Sequence, residues 1–237
     1  MELLTGSHNL REPFGECEDS PTLQPSFCIT QIVRRAVCYA ENPESVFITE
    51  TSKGVGLGLV EGFLELPNPP KNVFASCIDP DNNEAIELRD IASHNPTVTL
   101  VKLDVRSDAD IANAVTTVQR VLGQRGLNLL INNAAINSQV YGLESLTRDD
   151  IMSHCDCSVA APSAVAATML YRELAADEIL VAGISPGWVK TEMGGPGALI
   201  TLEESAVKCL EQLEILGLEH CGKELARITN VGPHSLT

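Results

Sequence analysis

The chain of 237 residues carries 32 Asp and Glu against 16 Lys and Arg, a formal charge of −16. That surplus of carboxylates excludes nucleic acid as a partner, because neutralising phosphates takes a surplus of cations, and it excludes an anionic membrane surface for the same reason. A content of 44% hydrophobic and 20% charged residues fits one domain with a real core, and no apolar run reaches the roughly 18 residues of a membrane span.

The opening stretch MELLTGSHNLREPFGE lacks the basic start and apolar core of an export signal, so a cytoplasmic protein is expected. The eight scattered cysteines are then free thiols rather than disulfides. The pattern HCDC, His154 to Cys157, invites a metal reading. On a helix, however, positions i and i+2 point to different sides, so the two thiols cannot share one ion, and no metal is expected.

Residues 1–44 read as an irregular extension outside the main fold, with only TQIVRRAVCYA able to form a short helix. From residue 45 to 237 strands and helices alternate. SVFIT is a short buried strand, and VGLGLVEGFLEL is a helix that stops at PNPP. NVFASCI is a second strand, DNNEAIELRDIAS a polar helix and TVTLVKLDV a third strand. SDADIANAVTTVQRVLG is a Ser-capped amphipathic helix, and LNLLINNAAI is a fourth strand, apolar on both faces. A capped helix from Thr147 is interrupted at Pro162. After it come the strand EILVAGIS, the segment PGWVKTEMGGPGA, the helix TLEESAVKCLEQLEIL and a last strand near GKELARI. This order implies a single α/β domain, a Rossmann-like doubly wound parallel sheet with helices on both faces.

Four segments fall at the carboxyl ends of strands, where ligands of such sheets bind: TETSKGVG, LDV, NNAA and SPGWVKT. Together they resemble the short-chain dehydrogenase/reductase superfamily, most closely the sniffer-type carbonyl reductases, over about residues 44–230. The family turn TGxxxGxG is matched by Thr49, Glu50, Thr51, Ser52, Lys53, Gly54, Val55 and Gly56. The resemblance implies a nucleotide cofactor held by Thr49, Ser52, Lys53, Gly54, Val55 and Gly56, by Asp104 and Val105, by Asn133 and Ala134, and by Pro186, Gly187, Val189 and Thr191. Lys53 favours NADP(H) over NAD(H), whereas Ile78 stands where relatives often carry an arginine, and Glu50 brings a carboxylate to a turn where glycine permits close approach to phosphates.

The family's carbonyl reduction uses a Tyr proton donor, a Lys four residues later that lowers its pKa, a carbonyl-orienting Ser and a supporting Asn. The i, i+4 spacing places ammonium and phenol on one helix face. Here Tyr39, Tyr141 and Tyr171 lead instead to Pro43, Ser145 and Ala175, and Ser158 occupies the Asn position. The stretch between NNAA and SPGWV is short. It is as though the Ser-bearing central strand and the front of the Tyr/Lys helix had been removed near 158–170. The expectation is a sheet of six strands, one central strand of the usual seven missing, with EILVAGIS paired directly to LNLLINNA and stability reduced.

GISPG, Gly183 to Gly187, matches a hydrolase nucleophile elbow in form, but Pro186 has no N–H for an oxyanion hole. Two functions therefore stand. One is an NADP(H)-dependent carbonyl reductase acting on small aldehydes and ketones. The other is a non-catalytic relative that at most binds a nucleotide. Relatives in the family form dimers or tetramers through the two helices around the active site, one of which is shortened here, so the resemblance leaves a homodimer open; substrate choice falls to the loop NSQVYGLESLTRDD and to GGPGALIT.

Overall fold

The computed structural model describes residues 30–35, 43–136, 147–170, 179–216 and 224–225. Its strands are β1 (Thr30–Arg35), β2 (Ser45–Ile48), β3 (Asn72–Cys77), β4 (Val98–Lys102), β5 (Leu129–Asn132), β6 (Ile179–Ile184) and β7 (Glu224–Leu225). The helices are α1 (Gly54–Glu65), α2 (Ile86–His94), α3 (Asp108–Leu122), α4 (Arg148–Cys155), α5 (Ala161–Leu170) and α6 (Leu202–Glu214).

Strands β2 to β5 form one parallel run of the sheet, with α1, α2 and α3 connecting them as the alternation in sequence requires, and β7 pairs in parallel with β6. Successive residues of β2 serve opposite faces. Val46 and Ile48 pack with Leu59, Val60 and Phe63 of α1, Leu88 of α2 and Leu213 of α6. Phe47 packs the other way with Ile111 and Val118 of α3 and Val165 of α5, and stacks on Phe74 of β3 at a centroid separation of 6.2 Å. Both faces are covered by helices, which is why these strands are apolar runs rather than alternating ones.

The helix starts carry their own signals. Ser107 accepts the Asp110 N–H, and Thr147 and Thr201 each form a reciprocal capping box, with Asp150 and Glu204. Each box satisfies two amide donors that the helix itself leaves open.

Two expectations fail on β1. Thr30–Arg35, within the stretch read as a short helix outside the main fold, is a strand, and it lies between β5 and β6, antiparallel to both. The sheet order is β4-β3-β2-β5-β1-β6-β7, so there are seven strands among the described residues rather than six. The expected direct pairing of EILVAGIS with LNLLINNA does not occur; the chain fills the empty central place from its own amino-terminal side. With β1 in that place, neither β5 nor β6 has an open edge toward the other.

Pro162 does not interrupt its helix either. Asp156–Ala160 forms a π-helical turn in which the Ala161 N–H donates to Asp156 O, five residues back, and the helix then runs on through Pro162. A widened turn removes the clash between a proline ring and the carbonyl four residues earlier. Among the described residues no helix is long and apolar enough to cross a membrane.

Candidate functional site

The turn after β2 is tied to both neighbouring strands. The Thr49 N–H donates to Ile131 O at 3.0 Å, and the buried Thr49 Oγ1 accepts the N–H groups of Asn133 and Ala134, both at 2.9 Å. Asn133 Nδ2 returns two bonds, to Thr49 O at 3.0 Å and Glu50 O at 2.8 Å. On the β3 side the N–H and Oγ1 of Thr51 both donate to Ser76 O, at 2.8 and 3.0 Å. Each bond replaces one that water would otherwise supply, so the turn is held as part of the core.

Gly56 is needed for this closeness: a Cβ there would stand 2.0 Å from Glu50 O and 2.6 Å from Asn133 Nδ2. Gly54, at φ 62°, occupies the left-handed region that glycine enters without cost. Glu50 holds φ 54° without that freedom, and its carboxylate accepts the Ser52 hydroxyl at 2.5 Å.

Beside the turn lies a cleft of about 560 Å³. The start of α1 enters it through Gly54 and Val55, and Lys53 at the cap position makes no side-chain cap. Unlike α3, α4 and α6, this helix presents uncapped amides, with the positive end of its dipole toward the cleft. The opposite wall is the segment after β6. There Trp188 Nε1 donates to Gly194 O at 2.7 Å, the Gly194 N–H donates to Thr191 Oγ1 at 3.0 Å, and Val189 makes a parallel bridge to Ile200.

Of the residues expected at a cofactor, Ser52, Lys53, Gly54, Val55, Asn133, Pro186 and Thr191 line this cleft. Thr49 and Gly56 shape the turn from behind. Ala134, Gly187 and Val189 are not among the lining residues. Neither are Asp104 and Val105, just beyond β4, where the Arg106 guanidinium grips the Asp104 carboxylate at 2.9 and 3.0 Å and holds it below its usual pKa. Ser158 is exposed on the π turn and does not line the cleft. Tyr39, Tyr141, Tyr171 and most of the loop NSQVYGLESLTRDD lie outside the described residues.

Sequence reasoning missed the acidity of the cleft. Asp79, Glu84 and Glu192 line it along with Glu50, against the single described lining cation Lys53. Lys53 Nζ is bonded to Glu192 at 3.0 Å, across the cleft, and stands 3.8 Å from Glu84; the Glu192 bond raises its pKa. All three side chains are largely exposed, so the pairs contribute at most about 1 kcal/mol. Cys77 forms part of the floor, where burial pushes its thiol up to about 11.

A parallel sheet whose first turn brings glycines and a helix amino end to a cleft beyond the strand ends defines a Rossmann-like α/β fold. The chain belongs to the short chain dehydrogenase family, a family of oxidoreductases, whose pattern it matches over residues 44–171, more than half its length. It is 29% identical over 179 residues to norsolorinic acid ketoreductase of Emericella nidulans; that match covers 73% of this chain and spans 64% of the relative's length. Among solved structures it resembles the NADPH-bound carbonyl reductase from chicken fatty liver, with 28% identity, a TM-score of 0.72 and coverage of 77% of this chain and 95% of the other. Carbonyl reductase Sniffer of D. melanogaster shares the fold at a TM-score of 0.70 and 20% identity, over 78% of this chain and 96% of its own.

Proposed function

We propose that the cleft holds a nicotinamide dinucleotide, NADP(H) ahead of NAD(H) by a modest factor, and that carbonyl reduction has been lost or nearly so. The observation that carries the reading is the uncapped start of α1, whose Gly54 and Val55 line the cleft. Amides there can meet a pyrophosphate, while Gly56 keeps the turn narrow enough for one to approach. The NADPH-bound relative supports the same choice of ligand.

Ser52, Asn133, Pro186 and Thr191 are the remaining lining groups proposed to hold the cofactor, with Thr49 fixing the turn behind them. Asp104 and Val105 are proposed for the adenine side, and Ala134, Gly187 and Val189 for backbone contacts along the same path. Once bound, the nicotinamide would supply or accept a hydride. Lys53 is the group proposed to meet a 2′-phosphate. It must first leave Glu192 and Glu84, and that exchange is why the preference is modest.

The loss of turnover follows from the sequence: none of the three tyrosines has a lysine four residues on. A general acid typically contributes 10²- to 10⁴-fold to a rate. If turnover survives, small aldehydes and ketones are its substrates. The same reading places the protein in the cytoplasm, as a homodimer.

Titration with NADPH and NADH, followed by nucleotide fluorescence, tests the first half. Saturable NADPH uptake, tighter than NADH by less than about tenfold and equalised by Lys53→Ala, is expected; no uptake of either refutes it. NADPH consumption with a panel of aldehydes and quinones tests the second half, and steady turnover above the protein-free rate refutes it.

A further inference from the structure

We infer that β1, which lies outside the segment matching the family, is the spacer that sets the width of the nucleotide cleft, so that cofactor affinity depends on a strand that touches no cofactor. The inference rests on the nucleotide-binding reading of that cleft.

The near side of the cleft, the turn after β2, is bonded to Asn133, the residue that follows β5, and the far wall, with Pro186 and Thr191, follows β6. Only β1 lies between β5 and β6. Ile32 stands opposite Ile131 on one side and Ala182 on the other, with four residue pairs to β5 and six to β6. Neighbouring strands lie about 4.8 Å apart, so β1 holds β5 and β6 at roughly twice that separation.

The far wall, besides its link through β6 to β1, is also tied to α6. Ser205 Oγ of α6 donates to Pro186 O at 2.8 Å, and α6 lies against α1, where a Cβ on Gly58 or Gly62 would come within 3.6 Å of Ala206 or 2.8 Å of Leu210. Thr191 Cγ2 would sit only 3.7 Å from a Cβ on Gly54. Sliding β6 inward by one strand width, about 4.8 Å, would drive this wall into the turn. Leaving the place open would expose two rows of unpaired backbone at the centre of the sheet. The gap therefore needs a strand, and the chain provides one.

The orientation of β1 has the same origin. Arg35 pairs with Ile179 at the beginning of β6, and Arg34 with Leu129 at the beginning of β5, so β1 ends on the side of the sheet where β2 begins. Only nine residues of sequence separate Arg35, the end of β1, from Ser45, the start of β2, two strands away in the sheet. A parallel β1 would need a crossover of a dozen residues or more. Antiparallel insertion is the solution open to so short a link.

Hydrogen exchange and NADPH titration on the full chain test this. In the wild type, the amides of 30–35 should be protected together with those of 129–132 and 179–184, and saturating NADPH should slow all three further. Adjacent residues of a central strand donate to opposite neighbours, so Ile32→Pro and Val33→Pro each break a different ladder. Both variants should lose protection at 129–132 and 179–184, keep it at 72–77 and 98–102, and bind NADPH at least tenfold more weakly.

Proline variants with wild-type affinity overturn the inference, as do wild-type amides at 30–35 that exchange like an unstructured peptide. If the variants unfold throughout, the wild-type result decides: protection at 30–35 that NADPH increases supports the spacer, and protection that NADPH leaves unchanged refutes its link to the cofactor. A wild type that takes up no NADPH refutes the nucleotide reading and the affinity claim with it. Exchange at 30–35, 129–132 and 179–184 then still decides whether β1 holds the sheet open.

Discussion

Glu50 is the residue whose replacement should strengthen cofactor binding most. It combines a left-handed backbone, φ 54°, with a carboxylate lining the cleft that α1 enters. For a phosphate charge about 5 Å away and an effective dielectric between that of water and about 20, the repulsion is about 1–3 kcal/mol. That corresponds to roughly five- to 150-fold in affinity. Glu50→Gln removes the charge and keeps the side chain, so it isolates this part. Glu50→Gly also relieves about 1 kcal/mol of left-handed strain, offset by about 0.5–1 kcal/mol of added freedom in the unfolded chain. Its melting temperature should therefore lie within about 3 °C of the wild type. The assay is NADPH titration at 0.05 and 0.5 M NaCl. The advantage of Glu50→Gln should be largest at low salt and shrink at high salt, where the Debye length falls to about 4 Å. A Glu50→Gln protein that binds no tighter than the wild type, or a ratio indifferent to salt, refutes the electrostatic reasoning.

Thr49→Val leaves the N–H groups of Asn133 and Ala134 without their acceptor, and should cost about 2 kcal/mol, a fall of about 4–8 °C by calorimetry. Gly56→Ala, with its Cβ 2.0 Å from Glu50 O, should weaken NADPH binding at least tenfold and lower the melting temperature. Gly58→Ala, whose Cβ meets Ala206 at an ordinary 3.6 Å, should not, and equal behaviour of the two refutes the steric argument. Burial pushes the thiols of Cys77 and Cys209 up to about 11 and about 12, against an ordinary value of 9.0. The folded state therefore keeps protons that the unfolded chain releases. The stability this contributes is whole below about pH 9 and is lost as the pH climbs through those values, by up to about 1.4 kcal/mol per pH unit for each thiol. Urea midpoints between pH 8 and 11 check the sign, which a rising midpoint would reverse. Of the four described cysteines, the exposed Cys155 should react with a thiol reagent before the buried Cys77, Cys157 and Cys209.

The parallel half of the sheet could be read from sequence because its signals are local: apolar runs such as SVFI and LLIN, caps at Ser107, Thr147 and Thr201, and glycines at the turn. Nothing local marks β1. In TQIVRRAVCYA the apolar residues Ile32, Val33, Ala36 and Val37 have helical spacing, and only a vacant place between strands much further along the chain makes Thr30–Arg35 extended. Tertiary context outweighs propensity here. The cleft divides in the same way. Its floor is written in one short motif, whereas the partner that engages Lys53 lies 139 residues away, and no spacing rule connects them.

The position of β1 also fixes an order of events during synthesis. This strand leaves the ribosome ahead of both its partners, which begin at Leu129 and Ile179. Until the later one emerges, β1 paired to β5 offers an open rim of amides and carbonyls that any extended segment can occupy, including one from a neighbouring nascent chain. Maturation of this protein should therefore be slow, sensitive to crowding on polysomes and dependent on chaperones that hold extended chain.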